Sequence, residues 1–238
     1  MTGGSRIAVL PAVVVTILGI GGARATGQPP PLSARFVLTT VDRASTDTST
    51  GMVHLQMGTS ACLFVATPVK QEMRLSPKEL VIYYPERDLA LVGTVSARQA
   101  PPLFEALTVA LSDPTRTLPR GSTLLERKQV GAVLLTRWRM AKDGGEQMGE
   151  MRIEETRDGA SKVEVLDRAG HPQRRFSFAD RLRVGGSSVP RSIEARYFTA
   201  AGAEQRRESW TLSDVAPQAA PTTCARVGPR TKVQELTW

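Results

Sequence analysis

Histidine and cysteine are scarce in this 238-residue chain, at two residues each. A metal centre draws about four Cys, His or carboxylate ligands into one shell. His54 and His171 lie far apart along the chain and the two Cys are Cys62 and Cys224, so no metal site is expected. Catalytic groupings are missing as well. Gly58-Thr59-Ser60-Ala61-Cys62 has the outline of a nucleophile elbow, but its fifth position is not Gly and no strand-to-helix turn follows, so Ser60 reads as a turn serine. His54 falls on the polar side of a Val53-Leu55-Met57 strand, and His171 sits in a Gly-His-Pro turn. Glu154-Glu155 and Glu79/Glu86 read as solvated carboxylates rather than an acid/base pair. The chain is therefore not expected to be an enzyme, and no cofactor is expected.

One long hydrophobic run is present, Ile7 to Gly22, preceded by Arg6 and followed by Ala23-Arg24-Ala25. A charged start, an apolar stretch short for a membrane span and a small-x-small site predict a secretory signal peptide over residues 1–25, cut after Ala25. An uncleaved membrane anchor is the competing reading. No Cys lies near the cut, which excludes a bacterial lipoprotein, and no later stretch is apolar enough to span a membrane. The expected location is the periplasm. The formal charge is +8, with 25 Arg against 6 Lys, but the charges are spread along many strands instead of forming one run. Nucleic acid is not an expected partner. Two cysteines in an exported chain predict one Cys62–Cys224 disulfide.

Helical periodicity is scarce too. Only Ala100 to Ser112 follows helical spacing, through Leu103, Phe104, Leu107 and Leu111, with Pro101-Pro102 suited to a first turn. What the chain has in quantity is period-two alternation, best seen from Glu150 to Val215. Met151 and Ile153, Val163 and Val165, Phe176 and Phe178, Ile193 and Tyr197, and Trp210 and Leu212 alternate with charged or polar residues. Asp158-Gly159, Gly185-Gly186 and Ala201-Gly202 supply the turns, which makes an antiparallel meander. Upstream, Arg35–Val41, Met52–Met57, Ala61–Thr67, Glu72–Leu75 and Leu80–Tyr84 read as strands around an Ala44–Thr50 turn. Leu124–Lys128 and Gly131–Met140 resume strands after the helix. Ala216–Pro221 reads as a linker, and Lys232–Trp238 as a last strand or a loose tail.

About eleven strands and one short helix predict a mainly β fold: a single curved antiparallel sheet forming an incomplete barrel, with a helical lid over an apolar cavity. The mature domain is expected over residues 26–215 and the tail over 216–238. The expected lining is Val53, Leu55, Phe64, Ile82, Tyr84, Met151, Ile153, Val165, Phe176, Phe178, Ile193, Tyr197, Trp210 and Leu212, with Leu103, Phe104, Leu107 and Leu111 above. For Tyr83-Tyr84-Pro85, presentation to a ligand and a core/surface split are equally good readings. The Leu103-Phe104-Leu107-Leu111 stripe is either ordinary core or a ligand-covering lid.

Three stretches resemble the LolA-like superfamily of periplasmic lipoprotein carriers. They are Arg35-Phe36-Val37-Leu38-Thr39-Thr40 before a polar turn and Gly51, Leu75 to Pro85 (LSPKELVIYYP), and the rhythm of Asp167 to Val215 with its Gly-Gly, Val-Pro-x-x-Ile and Leu-Ser-Asp-Val. The resemblance covers Leu32 to Val215. It implies a half-barrel that shelters the acyl chains of a lipid or an acylated lipoprotein, handed between membrane-bound donor and acceptor proteins by a monomer. A sensor that binds a partner protein with the same fold is the alternative. Two places depart from the family: Gln28-Pro29-Pro30-Pro31 replaces its first amphipathic helix, and Met57-Gly58 stands where its Arg-Pro latch would be.

Overall fold

The computed structural model describes residues 31–56, 60–76, 78–94, 102–111, 113–141, 149–218 and 224–236, apart from the side chains of residues 102–104 and 116. The expected signal peptide and the side chains of Leu103 and Phe104 lie outside the described residues.

Among the described residues, fourteen strands form one sheet. The chain starts in its middle, with β1 (Leu32–Asp42). It steps outward through β2 (Thr46–Gln56), β3 (Ser60–Thr67), β4 (Gln71–Leu75), β5 (Glu79–Tyr84) and β6 (Leu89–Thr94). The helix α1 (Pro102–Leu111) belongs to the connection that carries the chain to the opposite edge, β7 (Thr123–Val130). The chain then walks back through β8 (Val133–Arg139), β9 (Glu150–Thr156), β10 (Gly159–Leu166), β11 (Pro172–Val184), β12 (Ser187–Phe198) and β13 (Glu204–Pro217), which pairs with β1. A connection between two far edges has to cross a face, and α1 does so, packing on β11 and β12. All these pairs are antiparallel. The tail adds β14 (Lys232–Glu235), parallel to β6, so β14 and β7 remain as open edges.

Alternation sets the two faces. In β1, Ala34, Phe36 and Leu38 are buried while Arg35 and Val37 are exposed. The buried set continues through Val53, Leu63, Leu80, Ile153, Val163, Phe176, Ile193 and Trp210 into one cluster that includes Ala106, Leu107, Val109 and Ala110 of α1. Fourteen flat strands would span roughly 65 Å, whereas ten helical residues reach about 15 Å. The helix covers a fraction of that face. The sheet covers the rest by curling over itself, which makes the fold an unclosed half-barrel with the helix on its concave side. The convex face carries paired charges, among them Arg137 between Glu126 and Glu150, Lys162–Glu154, Arg175–Glu164 and Arg196–Glu194.

The described residues form fourteen strands where about eleven were expected, and several segments differ from the expectation. Leu89–Thr94 is a strand that it missed, because Leu-Ala-Leu-Val has no polar alternation when both sides are covered. Thr46–Thr50, part of the Ala44–Thr50 stretch that reads as a turn on its Ser/Thr/Asp content, belongs to β2 through its pairing with β1. Phe64 faces outward: Leu63 and Val65 hold the inward positions of β3, and Phe64 joins Cys62 on the convex side. A strand apolar on both sides gives no alternation from which to read parity. His54 is on the expected side but is buried, edge-on to the Phe64 ring at 5.8 Å.

That outer burial comes from the tail. Cys62 and Cys224 are disulfide-bonded, with Cα atoms 6.1 Å apart. Cys224 and Ala225 bury against Val81 and Ala90, flanked by Phe64, Tyr83 and Val227. Glu72 accepts a hydrogen bond from the Ala225 amide at 2.9 Å, and Thr231 donates to Asp88 at 2.8 Å.

Candidate functional site: the concave face and its polar end

The strand registers stack the inward side chains in levels. On β11, β12 and β13 the deepest level described here is Phe178, Ile193 and Trp210. Next come Phe176, Ala195 and Glu208, and then Arg174, Tyr197 and Arg206. The face thus runs from apolar to charged along three adjacent strands. Phe36 tilts against Trp210 at 5.4 Å, and Phe176 meets Tyr197 edge-on at 6.3 Å.

Of the residues expected to line this face, Val53, Leu55, Leu107, Met151, Ile153, Val165, Phe176, Phe178, Ile193, Trp210 and Leu212 lie together in the buried cluster. Ile82, Leu111 and Tyr197 pack against it half-buried. Tyr84 has inward parity on β5 but sits at the rim, in a cleft of 300 Å³ with Ser49, Gln71 and Arg87. Phe64 is on the other side. The face is closed in this structure: Val53, Val163 and Ala195 are 0 % exposed.

The charged end was not anticipated. Glu208 is fully buried and forms an ion pair with Arg206 at 2.7 Å. The pair is poorly aligned: Glu208 Oε1 and Arg206 Nε lack a hydrogen-bonded partner among the described residues, while Trp210 Nε1 donates to Glu208 Oε2 at 3.4 Å. Burial raises the Glu208 pKa, and Arg206 opposes the shift. Burial also raises that of Tyr197, helped by the carboxylates of Glu208 and Glu105. From above, Glu105 of α1 reaches down to Arg174 in a short charge-assisted contact. Arg174, Arg206 and Glu208 continue the inward parity of Phe176/Phe178 and Trp210/Leu212, so the signal was present in the alternation. A charged residue at such a position is normally read as the point where burial stops.

A second cleft, of 560 Å³, opens at the ends of β8 to β10 beside Arg137, Arg139, Arg152 and Arg168, with Glu150 and Asp167 among them. Among the described residues no three His, Cys, Asp or Glu side chains are placed to hold a metal ion, and no helix is long and apolar enough to cross a membrane.

Comparison with solved structures decides the fold. A LolA superfamily protein from Nitrosomonas europaea aligns over 81 % of this chain and 88 % of its own, with 11 % identity and a TM-score of 0.54. A putative outer membrane lipoprotein-sorting protein domain from Vibrio parahaemolyticus aligns over 82 % and 88 %, with 12 % identity and a TM-score of 0.56. The chain has a LolA-like fold. A DUF1329 family protein from Desulfovibrio piger shares this LolA-like architecture over 84 % of the present chain and 89 % of its own, with 10 % identity and a TM-score of 0.57. A scan of protein-family models finds no match, and neither does a search of curated protein sequences. At identities this low the likeness is one of backbone, and the family's Arg-Pro latch has no counterpart at Met57-Gly58.

Proposed function

We propose that this protein is exported to the periplasm and binds the acyl chains of a lipid or of a lipidated protein on its concave face, as a carrier. The observation that supports this reading is the extent of the apolar face, which the curled sheet and one short helix close over. Among the described residues, an apolar surface running across most of a half-barrel has one ten-residue helix above it. Acyl chains need no polar anchor on such a surface, since each Å² removed from water contributes roughly 25 cal/mol. Because the face is packed shut, uptake requires α1 to move aside. A single helix packed on β11 and β12, outside the strand ladder, is the element able to do so at least cost.

Leu107, 1 % exposed beneath the helix, gives the test. Leu107→Ala should weaken helix docking by about 2–5 kcal/mol and tighten binding of a neutral fluorescent probe, N-phenyl-1-naphthylamine. Native mass spectrometry of protein prepared from periplasm should show co-purified lipid. A lipid-free spectrum together with a Leu107→Ala variant that loses stability and gains no probe binding would refute the carrier reading. That outcome favours a module of the same fold that binds a partner protein, a reading supported by the tight packing of the concave face.

A further inference from the structure

Resting on the acyl-binding reading, we infer that the ligand is an acyl chain with an anionic head, a carboxylate or a phosphate, and that Glu105 of α1 occupies the place of that head in the closed protein. The argument starts from the level formed by Arg174, Tyr197 and Arg206, which closes one end of the apolar trough. Two cations on the inward side of β11 and β13, with Tyr197 of β12 between them, need counter-charges. Glu208 answers Arg206 from one level deeper. Asp42, opposite Arg206 on β1, turns its carboxylate to the amides of Ala44 and Ser45, both at 2.8 Å. Among the described residues, Arg174 has one carboxylate against it, and that carboxylate belongs to the helix.

The consequence follows from the geometry. The strands that carry Arg174, Tyr197, Arg206 and Glu208 stay in the sheet when the helix lifts; Glu105 leaves with it. Arg174 then faces the mouth of an emptied apolar trough without its partner. A chain that fills the trough and ends in an anion restores the contact; a chain ending in a hydroxyl does not. Glu105 is thus an internal surrogate for the ligand's head, and its departure and the head's arrival are one exchange. Charge-assisted hydrogen bonds to Arg are among the stronger polar contacts, which sets the expected selectivity at about tenfold.

The test uses full-length exported protein at pH 8 and displacement of N-phenyl-1-naphthylamine by oleate, oleyl phosphate and oleyl alcohol, all below their aggregation limits. Butyrate and inorganic phosphate test for a site that takes free anions. Oleate and oleyl phosphate should displace the probe at about tenfold lower concentration than the alcohol, and the two short anions should not displace it. Arg174→Gln should bring the three long ligands within about threefold by removing the charge, and Arg174→Lys should retain the preference. Glu105→Gln, which frees the helix without touching the sheet, should improve all three. Equal displacement by oleate and oleyl alcohol in the parent protein would overturn the inference while leaving acyl binding intact. So would a preference that survives Arg174→Gln, or displacement by butyrate or phosphate alone. If neither the probe nor any oleyl ligand binds the parent or Glu105→Gln, the acyl-binding reading fails and this inference falls with it.

Discussion

Replacing both cysteines by alanine removes a cross-link that spans 162 residues. In the chain-entropy description, a loop of that length restricts the unfolded chain by about 5 kcal/mol at 25 °C. The folded side loses little packing, because the satellite cluster around Cys62 and Cys224 keeps Val81, Ala90 and Ala225. Other contacts also hold the tail to β4 to β6. They include four parallel residue pairs between β14 and β6, the Ala225 bond to Glu72, and the Thr231 bond to Asp88. The double variant should therefore lose about 5 kcal/mol in urea unfolding, or roughly 10–20 °C in midpoint temperature for a domain of this size. Hydrogen exchange should show residues 224–236 opening independently of the barrel. A loss below about 1 kcal/mol, with the bridge verified by mass spectrometry in the parent, would refute the entropy argument. It would mean that the unfolded state already holds the two segments together.

Glu208→Gln tests the polar end of the trough. Burial raises the carboxyl's folded pKa above its unfolded value, so its contribution is fully present below the unfolded pKa and is lost as pH rises through the folded one. The Gln variant should accordingly gain stability relative to the parent as pH is raised from 4.5 to 8 in urea titrations, and an opposite trend would show that Arg206 dominates. Gly51→Ala should be severely destabilising, by about 1–3 kcal/mol or more, because a Cβ there would stand 2.0 Å from the Phe64 carbonyl oxygen; a variant with the parent's melting temperature would contradict that backbone approach.

The fold was legible wherever one side of a strand meets water. From Met151 to Leu212 the alternation of apolar and charged residues fixes both strand type and facing, and Gly185-Gly186, at φ 56° and 82°, marks its turn. The helix was legible for the same reason at a different period, and the disulfide followed from an even cysteine count in a chain read as exported. Where both sides are buried the code is silent: β6 went unseen, and Phe64 was given the wrong facing because Ala-Cys-Leu-Phe-Val has no polar beat. The cover that silenced it, the tail strapped over β3 to β6, comes from residues more than 140 positions away.

Only the tertiary structure decided the chemistry of the trough's end. Arg174, Tyr197 and the Arg206/Glu208 pair lie on three different strands and are ordinary as strand residues. Strand register sets them side by side, and the crossing of the chain from one sheet edge to the other lowers Glu105 onto Arg174. Sequence determines which residues can face inward, because a strand has only two sides. Which of those residues meet depends on register and on what lies across the face, and both are settled by contacts that no local pattern contains.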